Sequence, residues 1–334
     1  MTKLIKILFL LISILTYGQI KTTKVIPKED LNTSKPYDSL SNFLGEDVYK
    51  YIGQELYLKG TYESSRHYGY RDFKTTTNDE SNLLVKSISS NTKVNFGENV
   101  YKCCNEKGSY NSKYEDLAEK YFEVLDVTEK IHESSALGRY HEKNYYYLKL
   151  KEKSSGDILY YEYNSKYKHS FPFVVVGFYE KLKKNYIGKK FVFAKNNLKS
   201  IDLNTGKPIV SQLGDKWECI DITVDENTYE LSLVLKDKLG QKLVWEYNYF
   251  FPEKLYYFFT AEEAEKYGRK FGIENWKTIL QGNVKIGMTK EMCKLSWGEP
   301  NDINTTITSS RKSEQWVYAS NYLYFTSGIL TTIQ

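Results

Sequence analysis

The sequence predicts a mainly β protein that ends in an α+β domain, and three observations predict it. Short runs of alternating apolar and polar residues, rich in β-branched and aromatic side chains, recur between Gly, Asn, Asp and Ser. Two groups of these runs are copies of one another. From Thr260 onward the period becomes helical, then returns to strands. The length of 334 residues suits two or three domains. With 41% hydrophobic and 27% charged residues the chain can bury a core. The content of 31 Tyr, 16 Phe and 5 Trp against 6 Pro fits many short amphipathic strands rather than collagen, coiled coil or a membrane bundle.

The chain opens on an expected address. Lys3 and Lys6 precede an apolar run over residues 7–15, and Thr16 and Gly18 supply small residues at the minus-three and minus-one positions. This is the pattern of a secretory signal peptide over 1–18, too short to span a bilayer, which takes about 20 apolar residues. Cleavage after Gly18 would leave Gln19 first, so no lipid-anchor cysteine is expected. The mature chain is expected to be periplasmic or secreted, without a transmembrane segment. Losing the two lysines lowers the net charge from +5 to +3. The only arginines are Arg66, Arg71, Arg139, Arg269 and Arg311, so nucleic acid is not an expected partner.

After a linker over 19–44, a β repeat is expected over 45–183 and its copy over 184–259. Tyr51-Ile52-Gly53 with Leu56 and Leu58 recurs as Tyr186-Ile187-Gly188 with Phe191 and Phe193. Residues 122–128, FEVLDVT, recur as 217–223, WECIDIT. Leu148, Leu150, Lys151, Lys153, Gly156 and Leu159 match Leu233, Leu235, Lys236, Lys238, Gly240 and Leu243. Each copy is expected to be a meander of four or five strands. Gly156 and Gly240 should reverse the chain, and Asn204-Thr205-Gly206 should form another hairpin tip. Exposed edges are expected to be relieved by curling into a small barrel or by packing the copies side by side. The apolar stretch 171–179 reads as a buried strand. The first copy carries about forty extra residues at roughly 66–116, with Cys103-Cys104; they read equally as a functional loop and as a surface loop.

The third part, 260–334, begins with a linking helix. Thr260 and Glu263 form a capping box ahead of a helix over 261–270, stopped by Gly272. A second short helix is expected over 274–280. Thr289 should cap a further helix, with Met288 and Cys293 as a hydrophobic staple and Gly298 and Pro300 ending it. Three strands should follow, at 302–308, 314–318 and 322–325, the last turning at Ser327-Gly328 into 329–333. The order Gly287-Met288-Thr289, a helix ending Gly298-Glu299-Pro300, Trp316-Val317-Tyr318, Leu323-Tyr324-Phe325 and a Gly328 hairpin resembles the SmpA/OmlA (BamE-like) domain family. That resemblance implies two helices on a three-stranded antiparallel sheet. It also implies an envelope domain that works through protein contacts.

Chemistry-bearing patterns are sparse. His67, His132, His141 and His169 and the four cysteines show no zinc-ligand spacing, and no metal or other cofactor is expected. Cys219 and Cys293 read as small buried hydrophobes, and a bridge involving Cys103-Cys104 stays unassigned. Residues 202–206 mimic a calcium loop but lack its closing Glu, and read as a turn. Recurring carboxylates are the one enzyme-like hint: Glu123 and Glu218, Asp126 and Asp221, Glu162 and Glu246. One fold copied twice would repeat them without any active site. No catalytic, cofactor-binding or metal residue is therefore assigned. The expectation is a non-catalytic binding or scaffold protein of the bacterial cell envelope, with envelope proteins as partners. The alternative is a secreted carbohydrate-binding module or a glycan-acting hydrolase that uses the recurring acids.

Overall fold

A computed structural model describes residues 22–23, 36–77, 99–104, 110–134, 138–194, 200–209, 212–247, 258–307 and 312–334; for 22–23 and 132–142 no side chain is described. The expected signal peptide and much of the linker and insertion lie outside the described residues. The chain divides into two compact units, one holding 22–185 with 224–229, the other 186–223 with 230–334.

The first unit is built on β2 (Glu55–Leu58), β3 (Phe73–Lys74), β4 (Tyr121–Ser134), β5 (Gly138–Glu152), β6 (Ile158–Asn164) and β7 (Phe173–Val175). They form one antiparallel sheet in the order β3-β6-β5-β4-β2-β7. A separate short strand, β1 (Thr22–Thr23), pairs with Asp225 and Val224. Strand parity sorts the side chains. Leu148 and Leu150 on β5, and Leu159, Tyr161 and Tyr163 on β6, point inward with Phe122, Val124 and Phe173. Gly156 turns β5 into β6 at φ +79, a conformation that costs glycine nothing.

The expected strand over 171–179 is corrected. The strand stops at Val175, and, after the single-turn helices α1 (Glu63–Arg66) and α2 (Tyr114–Leu117) earlier in the unit, helix α3 runs Val176–Tyr186. A continuous apolar run has no period to separate strand from helix, although its burial was legible: Val176, Phe178, Tyr179 and Leu182 are all buried. Gly177 lets this helix approach the Tyr37 side chain, since a Cβ there would lie 2.6 Å from Tyr37 Cβ.

The second unit repeats this plan with β8 (Lys190–Phe193), β9 (Lys216–Asp225), β10 (Leu231–Lys236), β11 (Lys242–Glu246) and β12 (Phe258–Thr260), in the order β11-β10-β9-β8-β12. The copies agree bond by bond. Leu56 pairs with Phe122 as Phe191 pairs with Trp217. Gly53 N–H donates to Val124 O at 2.8 Å, as Gly188 N–H does to Cys219 O at 2.8 Å. In each copy the fifth strand returns to the free edge of the first, β7 to β2 and β12 to β8, and leads straight into a helix. The arrangement is therefore not a pure meander. Neither sheet closes into a barrel among the described residues, because its two outer strands do not pair with each other. The helix after β12, α4 (Ala261–Phe271), is the counterpart of α3 and equally long.

Both halves of the α4 capping box are present, and Gly272 ends the helix at φ +78. Helix α5 (Ile273–Leu280) follows, then α6 (Lys290–Trp297), whose Thr289 cap accepts from Met292 N–H. Met288 and Cys293 are both buried in one core, as a staple requires. The three expected strands are four: β13 (Asp302–Ile307), β14 (Lys312–Val317), β15 (Tyr322–Thr326) and β16 (Ile329–Ile333), paired in sequence order. Ser327 and Gly328 both take positive φ, so the chain doubles back fully and 329–333 becomes a strand in its own right. The core under this sheet includes Trp316, Leu323 and Phe325 together with Ala264, Phe271 and Met292 from the helices. Val192 of β8 and Phe259 of β12 complete it. The second repeat and the C-terminal domain thus share one core.

Candidate interaction surface

The recurring acids occupy structural posts. Asp126 Oδ1 accepts from Val127 N–H at 2.9 Å, and Asp221 Oδ1 accepts from Ile222 N–H at 2.9 Å, so this pair makes the same backbone bond in each copy. Glu123 stands opposite Lys151 on β5, and Glu218 pairs with Lys190 across β8 and β9 at 3.8 Å. Glu162 holds Lys130 at 3.0 Å, and Glu246 stands opposite Ser232. Glu123 and Glu162 sit two strands and four residue rows apart on the outer face, about 16 Å between backbones, and Asp126 and Glu162 about 12 Å.

An acid that sequence reasoning missed is more deeply engaged. Glu152, the last residue of β5, is fully buried. Lys120 Nζ lies 2.9 Å from its Oε1 and Lys102 Nζ 3.0 Å from its Oε2. Ser154 donates to Oε1, and the Tyr101 hydroxyl lies 3.2 Å from Oε2 and 2.8 Å from Asp157 Oδ2. Burial would raise this carboxyl, but the Ser154, Lys120 and Lys102 bonds outweigh it and hold it at about 2. The signal was parity: 148, 150 and 152 share the inward face, so an acid at 152 had to be inside. Lys120 and Glu152 lie in the first copy itself, whereas Tyr101 and Lys102 come from the insertion.

Several of the described residues of the insertion are packed. Phe73 pairs with Tyr161 as a sixth strand on the β6 edge, and Tyr70, Val100, Tyr101, Ser112 and Tyr114 are buried. Cys103 is bonded to its neighbour Cys104, and Cys103 bridges Ser112. Cys219 and Cys293 are free and buried, and burial pushes each thiol up to about 12.

Tyrosine divides into two uses. Buried tyrosines serve as core residues with a polar handle: Tyr70 donates to Lys59 O at 2.7 Å, Tyr161 to Ser170 O at 2.7 Å and Tyr163 to Gly45 O at 3.0 Å. Others are largely exposed: Tyr62, Tyr68 and Tyr110 near the ends of the insertion, 52%, 57% and 53% exposed, and Tyr49 and Tyr167 elsewhere in the same unit. The two ends are tied by Asn111, whose Nδ2 donates to Tyr68 O at 2.9 Å, and by the Tyr70–Ser112 bridge. Arg66 lies 5.1 Å over the Tyr114 ring and donates to Tyr229 Oη at 3.1 Å, while Tyr62 meets Tyr229 edge-on. Exposed tyrosines thus stand near a guanidinium held by two rings, a composition enriched at protein interfaces.

Among the described residues, no group of three His, Cys, Asp or Glu side chains could hold a metal ion, and no helix is long and apolar enough to cross a membrane. His67 lies tilted against the Tyr68 ring, His169 is exposed, and the side chains of His132 and His141 are not described. No family model matches the chain, and neither the curated proteins nor the solved structures contain a match.

Proposed function

We propose that this chain is an exported, non-catalytic protein of the bacterial cell envelope that binds other envelope proteins, with the Tyr62, Tyr68 and Tyr110 patch as its contact surface. The observation that carries this reading is the division of labour among its side chains. The acids repeated between copies make backbone bonds or stand in the outer polar lattice, while exposed tyrosine rings flank the tied ends of the insertion. Tyrosine supplies wide contact area at low entropic cost, and Arg66 offers a directed charge within it. The resemblance of the last sixty or so residues to the SmpA/OmlA domain is part of the same reading, since that family works by protein contact.

Site-specific photo-crosslinking tests it. A photoreactive residue at Tyr68 or Tyr110 is expected to capture the same envelope protein, and one at Lys184 on the polar side of α3 is expected to capture none. Equal capture at all three positions would reject the patch. Turnover of a glycan that is lost in Glu162→Gln without loss of folding would reject the non-catalytic reading.

A further inference from the structure

β13 is an outer strand of the C-terminal sheet, and among the described residues nothing pairs with its free edge. The opposite edge is covered at Ile329 and Leu330. Thr289 bridges Ile329, Gly287 N–H donates to Leu330 O at 2.9 Å, and Leu330 N–H donates to Met288 O at 2.8 Å. Proteins ordinarily guard bare edge strands with Lys, Pro or a bulge. β13 has none of these: Asp302, Ile303, Asn304, Thr305, Thr306 and Ile307 pair with β14 in unbroken register, and all six are exposed. Alternate residues of such a strand turn their N–H and C=O groups outward.

The side chains indicate what the edge fits. Ile303 stands opposite Trp316, Thr305 opposite Glu314 and Ile307 opposite Lys312, so these three share the face that carries Trp316 into the core. Ile303 and Ile307 nevertheless stay 42% and 73% exposed, and they flank Thr305 symmetrically, two residues to either side. We propose that β13 pairs antiparallel with β13 of a second copy of this chain, about a two-fold axis through Thr305.

A two-fold axis perpendicular to the sheet reverses strand direction but keeps each face on its own side. Only residues of like parity then oppose one another. With the axis at Thr305, Ile303 meets Ile307 of the partner subunit, and Ile307 meets Ile303 of the partner subunit. Thr305 meets its own copy, and Asn304 meets Thr306 of the partner subunit on the other face. Apolar and β-branched pairs of this kind stabilise sheets, and the two Asp302 carboxylates lie at opposite ends. The contact is isologous, as two-fold assembly requires, and the two four-stranded sheets become one of eight. Six residues a side is well below the twenty to thirty or so of a stable interface, so the dimer is a weak and reversible one. The symmetric spacing Ile-x-Thr-x-Ile favours the chain itself over a strand of unrelated sequence. The inference is independent of the tyrosine patch.

Sedimentation velocity of the purified full chain tests it, from about 1 µM to about 200 µM. The average mass is expected to rise from one chain towards two. Thr305→Lys places like charges face to face across the axis and should move the midpoint at least about tenfold higher in concentration. Mixing Thr305→Lys with Thr305→Glu should restore association as a heterodimer, which a misfolded variant would not do. Wild-type chain that stays monomeric throughout, Thr305→Lys that associates as well as wild type, or a mixture that fails to recover would each overturn the proposal.

Discussion

Glu152 and Glu314 show how single acids hold each unit. Glu314 on β14 is gripped by Lys290 from the first turn of α6 at 2.7 Å, by Trp316 Nε1 at 3.0 Å and by Lys312 at 3.1 Å. The Lys290 and Trp316 bonds, with Lys312, keep its carboxyl at about 2. Both acids ordinarily titrate near 4.5 and are depressed in the fold. Their contribution to stability is therefore complete above about 4.5 and drains away as the pH falls from there towards 2. Urea midpoints measured at about pH 6 and about pH 3 should differ less in Glu152→Gln than in wild type, because the group that links stability to pH is gone. An unchanged difference would remove Glu152 from this role. Neither acid stood out in the sequence by residue type, yet both fall on the inward parity of a strand.

Among elements, those with local chemical punctuation were legible, and those defined only by neighbours were not. The Thr260 and Thr289 caps, the Gly272 and Gly298 stops and the Gly156 and Gly240 turns all fall where residue chemistry placed them. Helix α3 escaped because Val174, Val175 and Val176 form an unbroken apolar run, so the change from strand to helix is set by the pairing of β7 with β2. Its Gly177 carries a prediction. Gly177→Ala must push against a Tyr37 Cβ 2.6 Å away and should cost about 1–3 kcal/mol. Thr260→Ala should cost about 1 kcal/mol through the lost cap. Equilibrium unfolding of both variants checks the order, and a neutral Gly177→Ala would refute the close packing.

For the molecule as a whole, the duplication was visible in sequence, but the extent of the copied unit was not. Each copy, with β3 of the insertion set aside, runs through five strands into a closing helix, so the linking helix α4 belongs to the second copy as much as to the domain beyond it. Because Val192 and Phe259 share a core with Trp316 and Met292, deleting 260–334 should leave 184–259 unable to fold, with loss of the cooperative melt of that half. Retention of both thermal transitions in the truncated protein would contradict a shared core. The tyrosine patch was legible only as composition, since sequence does not tell Tyr68, outside, from Tyr70, inside, until the insertion's two ends are seen to meet.

The segment 287–289 laid along β16 bears on more than the sheet it completes. An open-ended ribbon, the route by which bare strands polymerise into fibres, needs a sticky border on either flank of every building block. Contact with 287–289 closes Ile329 and Leu330 to such stacking, so the pairing proposed for β13 is biased towards a closed pair and away from a fibre.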